Sequence, residues 1–150
     1  MKKQNFFDLS FDQLKNFLIT KADVDENHAK MRAQQMFNAV YKKNIKNLDE
    51  LTTFGLVLRK KIKELISLEK PKIIDVQNSK DGTIKFLLEL EDKRNVETVL
   101  IPDRTQSRFT ICLSVSVGCY LSCEFCATAQ ISKKLVRNLT PGEIISQIIL

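Results

Sequence analysis

Apolar residues near the start of the chain recur at helical intervals. Leu14 and Leu18 lie four positions apart, and the segment that contains them follows Ser10 and Gln13. A serine with a glutamine three positions later is the signature of a capping box, in which each side chain accepts from the other residue's backbone N–H. We therefore expect a helix with Ser10 as its N-cap.

Two further helices are predicted before residue 71. One covers about residues 27–43, although its apolar residues fit the helical period only loosely, and the other covers residues 56–68 and ends before Pro71. Between them, residues 47–50 read Asn-Leu-Asp-Glu, which is typical of a helix start.

After Pro71 the apolar pattern changes to that of strands. Asp81-Gly82 is a strong signal for a β-hairpin, and residues 91–95 form a second polar turn. Four strands are predicted, over residues 72–76, 83–90, 96–101 and 109–115. The last of them leads directly into a group of cysteines.

The final segment has the features of a helix start. Thr140 is the expected N-cap, Pro141 occupies the first helical position, and Glu143 completes a capping box. The apolar helix predicted over residues 144–150 is still running at the last residue, so we expect the chain to be a fragment of a longer protein. The pattern as a whole predicts the α/β class, with a helical domain over residues 1–70 and a second, incomplete domain over residues 71–150.

Composition excludes several classes of protein. Apolar residues make up 43% and charged residues 28%, with only 4 Gly and 3 Pro, which is the composition of a folded chain. No apolar run approaches the roughly 18 residues of a membrane span, and no apolar stretch of a secretory signal follows the basic start. We expect a soluble, cytoplasmic protein without a membrane partner.

The net charge of +6 is concentrated in the first 70 residues, which hold 14 Lys/Arg and 9 Asp/Glu, a net of +5. A basic region favours a polyanionic partner, of which nucleic acid is the commonest, but a lysine-rich solvated surface gives the same count. If the partner is RNA, we expect basic side chains on one face to contact its phosphates, among them Lys42, Lys43, Lys46, Arg59, Lys60 and Lys61.

All four cysteines lie within 15 residues, at positions 112, 119, 123 and 126. This clustering favours metal binding or redox chemistry over a disulfide framework. The spacing Cys119-x3-Cys123-x2-Cys126 is compatible with zinc, if Cys112 is the fourth ligand, and with an iron–sulfur cluster that has three protein ligands. The single histidine, His28, is distant in sequence, and three ordinary buried cysteines at this spacing would be unusual.

The residues around the cysteines carry a family resemblance. CxxxCxxC with Phe125 before its last cysteine resembles the radical S-adenosylmethionine (SAM) enzymes. The stretches over residues 112–119, 123–130, 137–144 and 96–102 resemble the RlmN-type dual-specificity RNA methyltransferases, which methylate carbon 2 of adenosine in large-subunit ribosomal RNA and in transfer RNA. The resemblance extends over nearly the whole chain.

The resemblance implies a role for each residue that matches the family. Cys119, Cys123 and Cys126 would bind a 4Fe–4S cluster, and Phe125 would match the aromatic whose neighbourhood contacts the adenine of SAM, a role with which a packed core aromatic is compatible. Cys112 would resolve a covalent enzyme–RNA intermediate by attacking a methyl-carrying cysteine. Glu97 would be the general base that removes the proton from the adenine carbon; an exposed strand glutamate is its alternative reading.

The implied fold is a helical RNA-binding accessory domain followed by the first strands and helix of a truncated, partial (β/α) radical-SAM barrel. The implied cofactors are the cluster and SAM, and the implied partners are 23S rRNA, tRNA and a reducing electron donor such as flavodoxin, with a monomeric enzyme. The methyl-carrying cysteine is absent from the 150 residues, so we expect no activity from them alone.

Two alternatives stay open. One is an RNA-binding module held together by zinc at the cysteines. The other is the sister group that methylates carbon 8 of a ribosomal adenosine, from which Thr128-Ala129-Gln130 distinguishes this chain, because that group is expected to have Thr-Gly there.

Overall fold

The computed structural model describes residues 2–103, 107–121, 123–126 and 136–149. The chain divides into two compact units, Met1–Glu69 and Lys70–Leu150. Within the described residues, no helix has both the length and the apolar character needed to cross a membrane. The mixture of helices and strands confirms the predicted α/β class.

The first unit is mainly helical. Its helices are α1 (Phe11–Ala22), α2 (Glu26–Phe37) and α3 (Leu56–Leu65), and its two short strands, β1 (Gln4–Asn5) and β2 (Ile66–Ser67), pair in parallel. Phe6–Asp8 and Leu48–Glu50 form single 3-10 turns, and Asn38–Lys42 form a π-helical turn that extends α2.

Helix starts in this unit follow the predicted capping chemistry. The Ser10 hydroxyl accepts from the Gln13 backbone N–H, and the Gln13 side chain accepts from the Ser10 N–H, which confirms the capping box. Asn47 and Glu50 make a second capping box, but it begins only one 3-10 turn. Helix α3 ends at Leu65 rather than at residue 68, because Ile66 is extended and buried where it pairs with β1.

The core of the first unit combines aromatic and aliphatic side chains. Phe6 contacts Phe37 and Tyr41 with ring centroids 5.3 and 5.6 Å apart, and the π-helical turn places Tyr41 within this group. Burial raises the pKa of Tyr41. The other fully buried large side chains belong to all three helices and the segments next to them: Leu14, Leu18, Met36, Leu51, Phe54, Ile62 and Ile66.

The second unit contains a four-stranded antiparallel sheet in the order β3-β4-β5-β6, formed by Lys72–Asn78, Ile84–Glu89, Asn95–Pro102 and Phe109–Leu113. The predicted hairpin at Asp81-Gly82 joins β3 to β4, and Gly82 has a φ of 88°, which a residue with a Cβ adopts only with strain. Two shorter strands, β7 (Ser116–Val117) and β8 (Arg137–Asn138), pair antiparallel.

The two faces of the sheet have different environments. On one face Leu88 and Val96 pair across β4 and β5 and are buried together with Leu90 and Leu139. Helix α4 (Pro141–Ser146) supplies Ile144 to this cluster, and begins with the capping box predicted for Thr140 and Glu143. The other face carries the side chains of alternate residues, including Glu97.

Candidate functional site

The two residues assigned to proton transfer and sulfur attack lie on adjacent strands. Glu97 is on β5 and Cys112 is on β6, and these strands pair antiparallel with Val99 opposite Cys112. Because side chains alternate between faces, Glu97, Val99 and Cys112 share the face opposite the buried core. Glu97 and Cys112 are diagonal neighbours, a relationship that places Cα atoms about 7–8 Å apart. The structure therefore brings these two predicted residues together.

Both side chains are accessible on this face. Cys112 is exposed, and the Glu97 side chain is 52% exposed. Lys85 of β4 lies on the same face, and its Nζ is 3.0 Å from Glu97 Oε1. Sequence reasoning missed this lysine, because only the register of β4 against β5 places residues 85 and 97 diagonally.

The loop that carries Cys119, Cys123 and Cys126, here called the cysteine loop, begins a few residues after Cys112, where the chain leaves the sheet. Strands β7 and β8 pair Val117 with Arg137, and the Val136 N–H donates to the Val117 carbonyl at 2.8 Å. The two ends of the loop are thereby held together at its base. Gly118, with a φ of 75°, turns the chain from β7 toward Cys119.

None of the four cysteines is in a disulfide, and the three predicted ligands are half-buried. The Leu121 N–H points to Cys119 Sγ at 3.4 Å, and the Cys126 N–H donates to the Cys123 carbonyl at 3.1 Å. The first contact is directed at a cysteine sulfur, whereas the second closes a turn of the backbone.

Across the parts of the chain that the structure describes, no three His, Cys, Asp or Glu side chains are arranged so that they could hold a metal ion. A cluster with three thiolate ligands needs the sulfurs of Cys119, Cys123 and Cys126 to converge, and in this structure they are not gathered in that way. Thiols attract one another only weakly, so the group that they bind is what would draw them together. The donor set itself, three thiols within eight residues, fits an iron–sulfur cluster, and the assignment of Cys119, Cys123 and Cys126 as its ligands stays a prediction.

Several apolar side chains among the described residues of the loop are directed to solvent. Phe125 is 92% exposed, so it packs into no core among the described residues, and Tyr120 and Leu121 are also exposed. Thr128-Ala129-Gln130, on which the distinction from the carbon-8 group rests, lies outside the described residues.

Arg137, directly after the loop, is a residue that the sequence analysis did not identify. Its guanidinium donates two hydrogen bonds of 2.7 Å to the Glu143 carboxylate and one of 2.8 Å to Asp92 Oδ2 in the turn between β4 and β5. Burial raises the pKa of Glu143, but the hydrogen bonds from Arg137 and from the Thr140 N–H outweigh it and leave that pKa lowered. The hydrogen bond from Arg137 is also the main cause of the lowered pKa of Asp92.

In the first unit, some basic side chains bind other groups of the protein, and others are exposed and available to a partner. Arg59 donates to the carbonyl oxygens of Asp49 and Phe54, so the prediction that it contacts phosphate is not supported by its surroundings. Lys61 forms an ion pair with Asp23. Lys42, Lys43, Lys46 and Lys60 are exposed. His28 lies on the surface of α2, and its side chain is 66% exposed.

Comparison with known proteins supports the resemblance to the RNA methyltransferases in both units of the chain. Residues 4–68 match the model of the ribosomal RNA large subunit methyltransferase N-terminal domain. The dual-specificity RNA methyltransferase RlmN of Novosphingobium aromaticivorans is 41% identical over 133 residues, which cover 89% of this chain and 30% of that protein. The protein of the same name from Nitratiruptor sp. is 38% identical over 91% of this chain and 41% of its own length.

A crystal structure of a radical SAM methyltransferase from Sphaerobacter thermophilus has the same fold, with a TM-score of 0.80 and 31% identity over 97% of this chain and 40% of that one. The fold and the cysteine loop therefore define the class, that of the radical SAM methyltransferases. Within that class the chain belongs to the RlmN-type family. It spans between 30% and 41% of the length of the two RlmN proteins compared above.

Proposed function

We propose that the chain is the N-terminal part of an enzyme that methylates carbon 2 of an adenosine in 23S rRNA and tRNA, with a reducing electron donor such as flavodoxin as its partner. The observation that carries the proposal is the position of Glu97 and Cys112 on one accessible face of adjacent strands, with Cys112 seven positions before the first cysteine of the loop. The names of the RlmN relatives support RNA as the substrate.

In this enzyme Cys119, Cys123 and Cys126 would hold a 4Fe–4S cluster through their thiolates. The bound cluster would supply the electron for the reductive cleavage of SAM. Phe125, which is directed away from the unit's core, lies beside the second and third ligands and is available to contact the adenine of SAM.

Glu97 is the base that takes the proton from carbon 2 of the adenine. Cys112 acts afterwards, on the covalent link between the enzyme and the RNA. Its thiolate attacks the sulfur of the methyl-carrying cysteine, which is none of the four in this chain, and an S–S bond forms as the C–S bond to the nucleotide breaks. The electron pair of the broken bond stays on carbon, which takes up a proton and becomes the methyl group.

The two assignments are tested by trapping the RNA on the protein. In the full-length enzyme, Cys112→Ala should accumulate a protein–RNA adduct that survives a denaturing gel with labelled RNA, because the link forms but is not resolved. Glu97→Gln should also stall with the adduct, while SAM cleavage continues. If Cys112→Ala turned over like the wild type without an adduct, Cys112 would be an ordinary strand cysteine.

Metal analysis separates the enzyme from a zinc-stabilised RNA-binding module. After anaerobic reconstitution, the full-length protein should be brown and contain iron and sulfide. Cys119→Ala should lose most of the iron, because a cluster with three thiolate ligands then lacks one of them, whereas Cys112→Ala should keep it. A colourless protein with one tightly bound zinc and no iron would contradict the proposal.

A further inference from the structure

Gln147, the residue after helix α4, has a buried side chain in which every hydrogen-bonding position is occupied. Its Oε1 accepts from Thr98 Oγ1 at 2.7 Å and from the Ser114 N–H at 3.0 Å. Its Nε2 donates to the Ser114 carbonyl at 2.9 Å and to the Glu143 carbonyl at 3.2 Å. A carboxamide has two acceptor and two donor positions, so all four are satisfied and its orientation is determined.

The carboxamide takes the place of a neighbouring strand at Ser114. The ladder between β5 and β6 ends at the pair formed by Thr98 and Leu113, and continued pairing would place Ser114 opposite Glu97. Instead, Gln147 binds both the N–H and the carbonyl of Ser114, as a strand residue does. The Ser114 hydroxyl donates to the Glu97 carbonyl at 2.7 Å. Gln147 thus stabilises the point at which the chain leaves β6, and ends its pairing with β5, on its way to the cysteine loop.

This network reaches both residues of the candidate site through the backbone. Thr98 follows Glu97 on β5, and Ser114 lies two positions after Cys112. Thr98 and Gln147 are on the buried side, 3% and 5% exposed, so the carboxamide lies away from the face that carries Glu97 and Cys112. It can influence the chemistry only by fixing the positions of β5 and β6.

Resting on the proposed function, we propose that Gln147 is a positioning residue for the resolution step, which it controls by holding β5 and the end of β6 at the separation that sulfur attack by Cys112 requires. The rate at which Cys112 attacks the sulfur of the methyl-carrying cysteine depends on the position of its thiolate. A displacement of about 1 Å can lower such a rate by about 100-fold. The other side chains of the network, those of Thr98 and Ser114, act in the same way.

The experiment uses the cluster-loaded, full-length enzyme and measures the ratio of protein–RNA adduct to methylated product on a denaturing gel. Gln147→Leu should raise this ratio about 10-fold or more, because it removes all four hydrogen bonds. Thr98→Val removes only the hydroxyl that Gln147 accepts from, at nearly the same volume, and should raise the ratio about fivefold. This second variant carries the test if Gln147→Leu does not fold.

Two controls distinguish positioning from stability. Thr98→Ser keeps the hydroxyl but loses a buried methyl, so its melting temperature should fall while its adduct ratio stays at the wild-type value. Thr83→Val removes a hydroxyl that donates to Asp81 in the hairpin between β3 and β4, outside the network, and should leave the ratio unchanged. A ratio that followed melting temperature across these variants would overturn the proposal.

The Cys112→Ala enzyme distinguishes a failure of the positioning role from a failure of the proposed function. If it accumulates adduct while Thr98→Val and Gln147→Leu, folded and with wild-type iron content, do not, the positioning role is wrong and the proposed function stands. If Cys112→Ala accumulates no adduct, the proposed function fails and the positioning role fails with it.

Discussion

At the scale of single residues, the contacts that organise the second unit are made by side chains whose type alone gives little indication of their role. Arg137 resembles any basic residue of a surface strand, yet it joins the end of the cysteine loop to the start of α4 and to the turn before β5. Its planar guanidinium binds the Glu143 carboxylate through two parallel hydrogen bonds, a geometry that lysine cannot reproduce.

We expect Arg137→Gln to destabilise the second unit by about 1–2 kcal/mol at neutral pH, because the half-buried Glu143 carboxylate and the exposed Asp92 carboxylate lose their charged partner. The pKa values of Glu143 and Asp92 are lowered in the folded protein, so the stabilisation is present above their ordinary values of 4.5 and 3.8. It is lost as the pH falls through the lowered values. Urea unfolding of both proteins at pH 7 and at pH 3 measures the difference, which should shrink in acid.

Arg94→Gln is the matched control for this prediction. Arg94 also lies near Asp92, with 3.8 Å between Nη1 and Oδ2, but it is more exposed, and within the part of the chain that the structure describes it forms no ion pair with a second carboxylate. Its loss should cost less than about 0.5 kcal/mol. Equal effects of the two substitutions would show that Arg137 contributes only a surface ion pair.

At the scale of elements, the local signals for starts and turns were reliable and the ends of elements were not. The capping boxes at Ser10 and Thr140 and the hairpin at Gly82 formed as predicted, since each depends on residues within four positions of one another. Helix α3 ended three residues early, because pairing of Ile66 with Gln4 is a contact across 62 positions of sequence.

The hairpin between β3 and β4 gives a prediction for an element. Gly82 has a φ of 88°, and a Cβ built there would lie 3.2 Å from Pro102 Cγ. Gly82→Ala should therefore destabilise the protein by about 1–2 kcal/mol in urea unfolding, through backbone strain. Gly82→Asn, which adds a similar Cβ but tolerates positive φ, should cost less than alanine; an equal cost would assign the effect to the contact with Pro102 instead.

At the scale of the whole molecule, charge is the property that bears on the proposed binding of RNA. The first unit contains exposed lysines at positions 42, 43, 46 and 60, while Lys61 and Lys63 are paired with Asp23 and Asp49. Phosphate contacts release counterions, so each contact adds to the salt dependence of RNA binding. The net charge of the sequence counts all of these lysines equally, whereas the structure distinguishes the available ones.

We expect the double substitution Lys42→Gln and Lys43→Gln in the full-length enzyme to weaken binding of a structured rRNA fragment. The slope of log affinity against log salt should fall by about 2, or about 1 for each lost phosphate contact. Lys61→Gln with Lys63→Gln changes the net charge by the same amount at paired positions and should have a smaller effect. Binding that is insensitive to salt in the wild type would argue against a phosphate-binding role for this unit.

The sequence by itself determined the features that depend on near neighbours: the α/β class, the capped helix starts, the hairpin, and the clustering of the four cysteines. It also identified Glu97 and Cys112 through a family resemblance. Only the tertiary structure decided that these two share one face, that Lys85 pairs with Glu97, and that Phe125 is exposed. Contacts of this kind depend on the register of the strands and on which face of the sheet a helix covers. Both are fixed by interactions between residues tens of positions apart in the sequence. The same holds for Gln147, whose partners Thr98 and Ser114 lie 49 and 33 positions away.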